Sequence, residues 1–139
     1  MALQPCTIYQ VLACEKLGFN RVLLRPQDAP VVVPIVIGSN ETAAIVRGLQ
    51  KETPPRPMTH DLLVAAIEHS GARVEKVVVT KLDGGTFHAD LFIRTREGES
   101  TTVDARPSDC MAIATLTDAP LFVDDTVIES AGVPLEETL

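Results

Sequence analysis

The chain has 139 residues, of which 45% are hydrophobic and 4% aromatic; this size fits one domain with a core built mainly from Val, Leu, Ile and Ala. Twelve basic and nineteen acidic residues give a formal charge of −7, so a nucleic-acid-binding protein of this composition would need a local basic patch or bridging divalent ions. Cys6, Cys14 and Cys110 have no C-x-x-C spacing and indicate neither a disulfide framework nor a thiolate zinc site. We expect a reduced, cytoplasmic location, without a signal peptide or a membrane span.

The first half of the sequence predicts a three-stranded meander followed by two helices. Alternating β-forming residues predict strands over 7–14, 21–25 and 31–37, separated by turn signals. Ser39 is a candidate cap for a helix that ends near Gln50. Three prolines at positions 54, 55 and 57 then favour an extended path. Thr59 is a candidate cap for a second helix that ends at Gly71.

The second half repeats this order. Strands over 74–82 and 86–94 flank Asp83-Gly84-Gly85, a strong hairpin signal because glycine accepts positive φ. A strand over 101–105 precedes a helix over 107–117, a short strand over 121–123 and a last helical turn that ends at Gly132, and the tail 133–139 is expected to fray. We predict one α+β domain over residues 1–139, with a mixed or antiparallel sheet, about three main helices and a duplicated β-β-β-α unit. In the duplication, Ile37-Gly38-Ser39-Asn40-Glu41-Thr42-Ala43-Ala44-Ile45 corresponds to Arg106-Pro107-Ser108-Asp109-Cys110-Met111-Ala112-Ile113, with Ser39 matching Ser108.

Several charged residues fall at predicted helix starts. Glu41, Asp61 and Asp109 lie in first turns, and Asp104 is near the end of a strand. His60 directly precedes Asp61, and Arg106 lies between Asp104 and Asp109 in the sequence. If the helix starts converge, the carboxylates would hold Mg²⁺ or Mn²⁺ through oxygen ligands. Such a metal would activate water for phosphodiester cleavage, while Arg106 or Arg56 would bind the phosphate.

Each of these residues also has a structural interpretation. An acidic residue in a first turn stabilises the helix dipole by about half a kcal/mol in proteins that have no site there. His60 would then be a hydrogen-bond partner near a cap, and Arg106 would form an ion pair with Asp104, Asp109 or Asp90. Cys110, on an apolar helix, is expected to be a small buried hydrophobe.

Four motifs resemble the bifunctional nuclease domain family. They are Val33-Pro34-Ile35-Val36-Ile37-Gly38 with Glu41 and Ala44-Ile45, Pro55-Arg56-Pro57-Met58-Thr59-His60-Asp61-Leu62, Asp83-Gly84-Gly85-Thr86-Phe87-His88-Ala89, and Asp104-Ala105-Arg106-Pro107-Ser108-Asp109. The resemblance implies a compact α+β domain, association as a homo-oligomer and nuclease activity on DNA and RNA. The sequence departs from the family pattern at Cys110-Met111, at Thr42 and at the second glycine of the hairpin turn, and none of these changes removes a charged motif residue.

We therefore expect a metal-dependent nuclease acting on DNA or RNA. The expected catalytic residues are His60 as base, Arg106 as phosphate clamp, and Asp61, Asp104 and Asp109; the expected metal ligands are Glu41, Asp104 and Asp109. The alternative is a non-catalytic ligand- or protein-binding module in which the motif residues form a structural ion-pair lattice. Exposed carboxylates that converge would favour the first hypothesis, and saturated ion pairs would favour the second.

Overall fold

The computed structural model describes residues 2–14, 16 and 18–138, which form one sheet covered by helices. The strands are β1 (Leu3–Cys14), β2 (Phe19–Pro26), β3 (Val31–Ile37), β4 (Arg73–Asp83), β5 (Thr86–Arg94), β6 (Ser100–Ala105), β7 (Leu121–Asp124) and β8 (Val133–Pro134). The helices are α1 (Ser39–Leu49), α2 (Thr59–His69), α3 (Pro107–Thr117) and α4 (Asp125–Ala131), and a short 3₁₀ turn, Leu135–Thr138, follows β8.

The sheet contains two copies of the same meander. Its strand order is β6-β5-β4-β7-β1-β2-β3-β8, and β1-β2-β3 and β4-β5-β6 are each antiparallel. Strand β7 joins the copies, parallel to β4 and antiparallel to β1. One residue separates each meander from the helix that follows it, so the predicted α+β class and the repeated β-β-β-α order are confirmed.

The hairpin between β4 and β5 has the predicted two-residue turn. Asp83 pairs with Thr86, and Gly84 and Gly85 between them have φ of +57° and +83°. Positive φ at both central positions is what a type I′ turn requires, and glycine adopts it without a Cβ clash. This turn places Thr86 and Phe87 at the start of β5.

The core lies between one face of the sheet and the helices. Helix α3 is its centre, since Cys110–Ala114 are all buried, and α1 packs against it. The core is largely aliphatic, as the composition predicted. Cys6 and Cys110 are buried free thiols, and burial raises the pKa of each to about 12, which agrees with the prediction that Cys110 acts as a small hydrophobe. The side chain of Cys14 lies outside the described part of the chain.

Three local predictions were wrong in detail. The residues before α1 and α2 that act as N-caps are Gly38 and Met58, one position earlier than predicted. The tail is partly paired, because β8 pairs with Val31 and Val32 of β3; Leu139 lies outside the described residues.

None of the helices in the described part of the chain has the length and apolar content that a membrane crossing requires.

Candidate functional site

The repeated meander brings the first turns of α1 and α3 together. Both helices follow the third strand of their meander and pack against each other. Counted from each helix start, Glu41 and Asp109 both occupy the third helical position. The predicted match of Ser39 with Ser108 is therefore wrong by one residue, because Ser39 corresponds to Pro107. The two acidic residues are structural counterparts.

Arg106 binds both of these carboxylates. Its Nε donates to Oδ2 of Asp109 at 2.9 Å, and its Nη2 donates to Oδ1 of Asp109 at 3.2 Å and to Oε1 of Glu41 at 2.9 Å. The side chain of Arg106 is 65% exposed, whereas those of Glu41 and Asp109 are 16% and 28% exposed. The guanidinium thus lies at the surface, above two half-buried acids that fix its orientation.

His60 joins the cluster from α2. It is the second residue of that helix, and its Nε2 lies 2.9 Å from Oδ1 of Asp109, with 16% of the His60 side chain exposed. Asp109 therefore binds an arginine and a histidine at the same time. We refer to Glu41, His60, Arg106 and Asp109 as the charged cluster.

The charged cluster favours the ionised forms of Asp109 and Arg106. Burial raises the pKa of Asp109, but hydrogen bonds from Arg106 and His60 outweigh burial, and the pKa is lowered overall. The hydrogen bonds to Asp109, its charge and the hydrogen bond to Glu41 raise the pKa of Arg106. At neutral pH the structure thus contains a carboxylate paired with a guanidinium.

Two predicted site residues are not joined to the charged cluster by any contact within the described part of the chain. Asp61, in the first turn of α2, accepts a hydrogen bond at 2.9 Å from the backbone N–H of Met58, so it caps its own helix. Asp104 is exposed on β6, directly opposite Asp90 of β5. The catalytic roles predicted for these two residues stay predictions.

The geometry does not by itself form a metal site. Across residues 2–14, 16 and 18–138, no three His, Cys, Asp or Glu side chains lie together as metal ligands would. The guanidinium of Arg106 lies where a cation between Glu41 and Asp109 would have to bind. In this arrangement the three predicted ligands, Glu41, Asp104 and Asp109, do not fit Mg²⁺ or Mn²⁺.

A cleft of about 630 Å³ lies beside Arg106. Its lining comes from corresponding segments of the two halves, namely the start of the second strand and the junction between the third strand and the helix. The lining residues are Gly18, Phe19 and Pro34–Ser39 from the first half, and Gly85–Phe87 and Arg106–Ser108 from the second. The volume falls within the range of about 300–1,000 Å³ typical of ligand pockets.

Sequence reasoning missed the apolar part of this cleft. Val36 is 62% exposed, although every residue of its strand is apolar. Phe87 shares its face of β5 with core residues and also lines the cleft. The hairpin turn was recognised, but its position beside the first half of the chain depends on the curvature of the sheet, which no local pattern reports.

The arrangement provides a fixed cation and an oriented histidine next to a cleft. Of the five N–H donors of an arginine, those on Nη1 of Arg106 have no partner among the described residues. Nδ1 of His60 likewise has no hydrogen-bond partner within the described part of the chain. A ligand in the cleft could therefore reach the Nη1 donors of Arg106 without displacing the internal contacts, whereas His60, 16% exposed, does not itself line the cleft.

Comparison with known proteins shows which family the chain belongs to. An uncharacterised protein of Mycobacterium tuberculosis is 41% identical over 115 residues, which cover 81% of this chain and 66% of the relative. Bifunctional nuclease 2 and bifunctional nuclease 1 of Oryza sativa subsp. japonica are 27% and 22% identical over 116 and 117 residues, or 81% and 82% of this chain and 35% of each relative. The chain thus spans under two thirds of each relative's length. Residues 22–136 match the bifunctional nuclease domain, and the chain belongs to that family.

Proposed function

We propose that this protein is a nuclease that cleaves phosphodiester bonds of DNA or RNA. The observation that carries the proposal is that one carboxylate, that of Asp109, fixes both a histidine and an exposed arginine beside a cleft. A base and a phosphate-binding group held by a common partner are what hydrolysis of a phosphodiester needs. Membership of a family in which the rice relatives are named bifunctional nucleases agrees with it.

Arg106 is the proposed phosphate clamp. Asp109 holds it through Nε and Nη2, and Glu41 holds the second hydrogen of Nη2. The two N–H groups of Nη1 are then available to oxygens of a phosphate, and the fixed orientation lowers the entropic cost of binding. Because Glu41 and Asp109 offset its charge, we expect weak, salt-sensitive attraction of polyanions, in keeping with the net charge of −7.

His60 is the proposed general base. A hydrogen bond from one ring nitrogen to a carboxylate fixes the tautomer, so that the other nitrogen can accept a proton. Here Nε2 is bound to Asp109, which makes Nδ1 the nitrogen that would take a proton from the attacking water. Asp109 in this scheme orients both partners.

The test is cleavage of single-stranded DNA and of RNA by highly purified protein, with Mg²⁺, with Mn²⁺ and with EDTA. The EDTA arm tests the metal dependence predicted from the sequence. We expect His60→Ala and Asp109→Asn to lower the cleavage rate at least about 100-fold, as for loss of a general base. His69→Ala, at the exposed other end of α2, and Asp28→Asn, in the exposed turn between β2 and β3, serve as matched controls and should cleave normally.

Asp61 and Asp104 are tested in the same assay. An Asp104→Asn variant that folds and loses activity would support the role predicted for Asp104 despite its position opposite Asp90. Cleavage that persists in both His60→Ala and Asp109→Asn would contradict the proposed site. Equal cleavage by all preparations would point to a contaminating nuclease.

A second candidate function is a non-catalytic ligand- or protein-binding module. The observation that favours it is that Arg106 already binds Glu41 and Asp109 through three hydrogen bonds, as the members of a structural lattice would. In that case purified protein would not cleave under any metal condition. Asp109→Asn would then lower stability without any activity to lose.

We also infer a cytoplasmic location and self-association. The buried free thiols of Cys6 and Cys110 suit a reducing compartment. Leu62 and Leu63 of α2 are 62% and 42% exposed, and Met58 beside them is 46% exposed, an apolar surface of a kind often covered in oligomers. Light scattering of the wild type should give a mass above that of one chain, and Leu62→Lys should lower it.

A further inference from the structure

We propose that the cleft beside Arg106 is a subsite for one unpaired nucleotide, with its base on Phe87 and its phosphate at Arg106. This inference rests on the proposed function, because it names the part of a nucleic acid that the same site would hold. It goes further in requiring a single strand at the point of binding. The cleft is lined by both polar and apolar residues, and a nucleotide likewise has a charged phosphate and a flat, largely apolar base.

Two of the five aromatic residues of the protein line this cleft. The chain has four phenylalanines and no tryptophan, and two of the four, Phe19 and Phe87, line the cleft. They stand at corresponding places in the two halves, at the start of β2 and of β5. Base stacking on aromatic rings is how proteins hold single strands without reading their sequence.

The rest of the apolar lining offers a surface for a flat ligand. Val36 lines the cleft and is 62% exposed, whereas its neighbours Ile35 and Ile37 are core residues with 4% and 6% exposure. Such exposure of a large aliphatic side chain on a lining wall favours contact with an apolar ligand surface. In a duplex both faces of a base are covered by its neighbours, so only an unpaired base can use this wall.

The polar residues that line the cleft are of the kinds that bind phosphate. Arg106 contributes the unpartnered Nη1 described above, and Ser39, Thr86 and Ser108 also line the cleft. Hydroxyl groups and guanidinium N–H groups are common phosphate partners. The first turns of α1 and α3 open on the same cleft, and their N-terminal dipoles add to the attraction of an anion.

Binding is tested without cleavage, using a short phosphorothioate oligothymidylate that carries one central 2-aminopurine. We expect quenching of its fluorescence on binding to the wild-type protein, and weaker binding when the central position is abasic or when the strand is paired. Phe87→Leu should weaken binding about fivefold or more, the lower end of what one stacked base contributes. Phe92→Leu, on the same strand with its ring against Lys76, is the matched control and should bind normally.

Val36→Glu is a second variant, chosen because this exposed side chain contributes little to the core. It should also weaken binding, since it adds a negative charge to the wall. Equal affinity for the abasic strand, unchanged affinity in both Phe87→Leu and Val36→Glu, or no binding by the wild type would overturn the subsite. Binding without cleavage would contradict the proposed nuclease activity but support the subsite. Cleavage that does not depend on Phe87 would support the nuclease activity but contradict the subsite.

Discussion

Gly48 sets the distance between the two helices that carry Glu41 and Asp109. It is buried in α1, and a Cβ at this position would lie 1.9 Å from Oγ1 and 2.5 Å from Cβ of Thr115 on α3. To reach an ordinary contact of 3.4 Å, the second distance alone must grow by about 0.9 Å. Thr115 cannot simply rotate without cost, because Oγ1 donates a buried hydrogen bond to the carbonyl of Ala112.

Helix propensity and packing predict opposite signs for Gly48→Ala. Propensity alone would stabilise the protein by about 1 kcal/mol. Overpacking costs about 1–3 kcal/mol, and the hydrogen bond of Thr115 contributes about 1 kcal/mol more if it breaks. With that hydrogen bond broken, the expected net loss in the free energy of unfolding is about 1–3 kcal/mol, and the Tm is lower by roughly 3–10 °C for a chain of this length.

Urea unfolding of the variant measures this loss directly. Ala43→Gly, at an exposed position of the same helix, measures propensity without the helix contact. In a Thr115→Gly background the clash is absent, so Gly48→Ala should become stabilising, and the double-mutant cycle should show strong coupling. If Gly48→Ala is more stable than wild type in the presence of Thr115, the two helices do not approach as closely as described. The binding of Arg106 by Glu41 of α1 and Asp109 of α3 together would then be refuted as well.

Three further predictions concern the charged cluster. Asp109→Asn should lower the free energy of unfolding by about 1–2 kcal/mol, a value reduced by the exposure of Arg106. Asp104→Asn should raise it slightly, because it removes a like charge opposite Asp90. Urea unfolding of both variants tests this. Folding lowers the pKa of Asp109, so its charge stabilises the protein above the ordinary Asp pKa of about 3.9. The difference in the free energy of unfolding between wild type and Asp109→Asn should therefore shrink as pH falls below that value towards the folded pKa. An unchanged difference at low pH would contradict the assignment. Gly38→Ala would place a Cβ 2.5 Å from Oε2 of Glu41, at the far end of a flexible side chain, and push this carboxylate off Arg106. The variant should unfold like wild type but match Glu41→Gln in cleavage. Wild-type cleavage by Gly38→Ala with reduced cleavage by Glu41→Gln would show that the carboxylate stays in place.

The order of elements could be predicted from the sequence because its signals are local. The glycine pair at 84 and 85 specifies a tight hairpin, and the alternation of apolar residues on either side specifies its strands. Pro107 marks the first position of α3 because its φ suits that place and its missing N–H costs nothing there. The first-turn positions of Glu41, Asp61 and Asp109 follow from the same local rules.

The choice of partners was decided only by the tertiary structure. Asp61 and Asp109 occupy the same position of their helices, yet one caps its own backbone and the other binds Arg106 and His60. The difference depends on which helix starts meet, and that depends on β7 pairing between the two meanders and on α1 approaching α3 at Gly48. These contacts join residues far apart in sequence, so no short-range pattern encodes them, and they determine which of the predicted acids belong to the charged cluster.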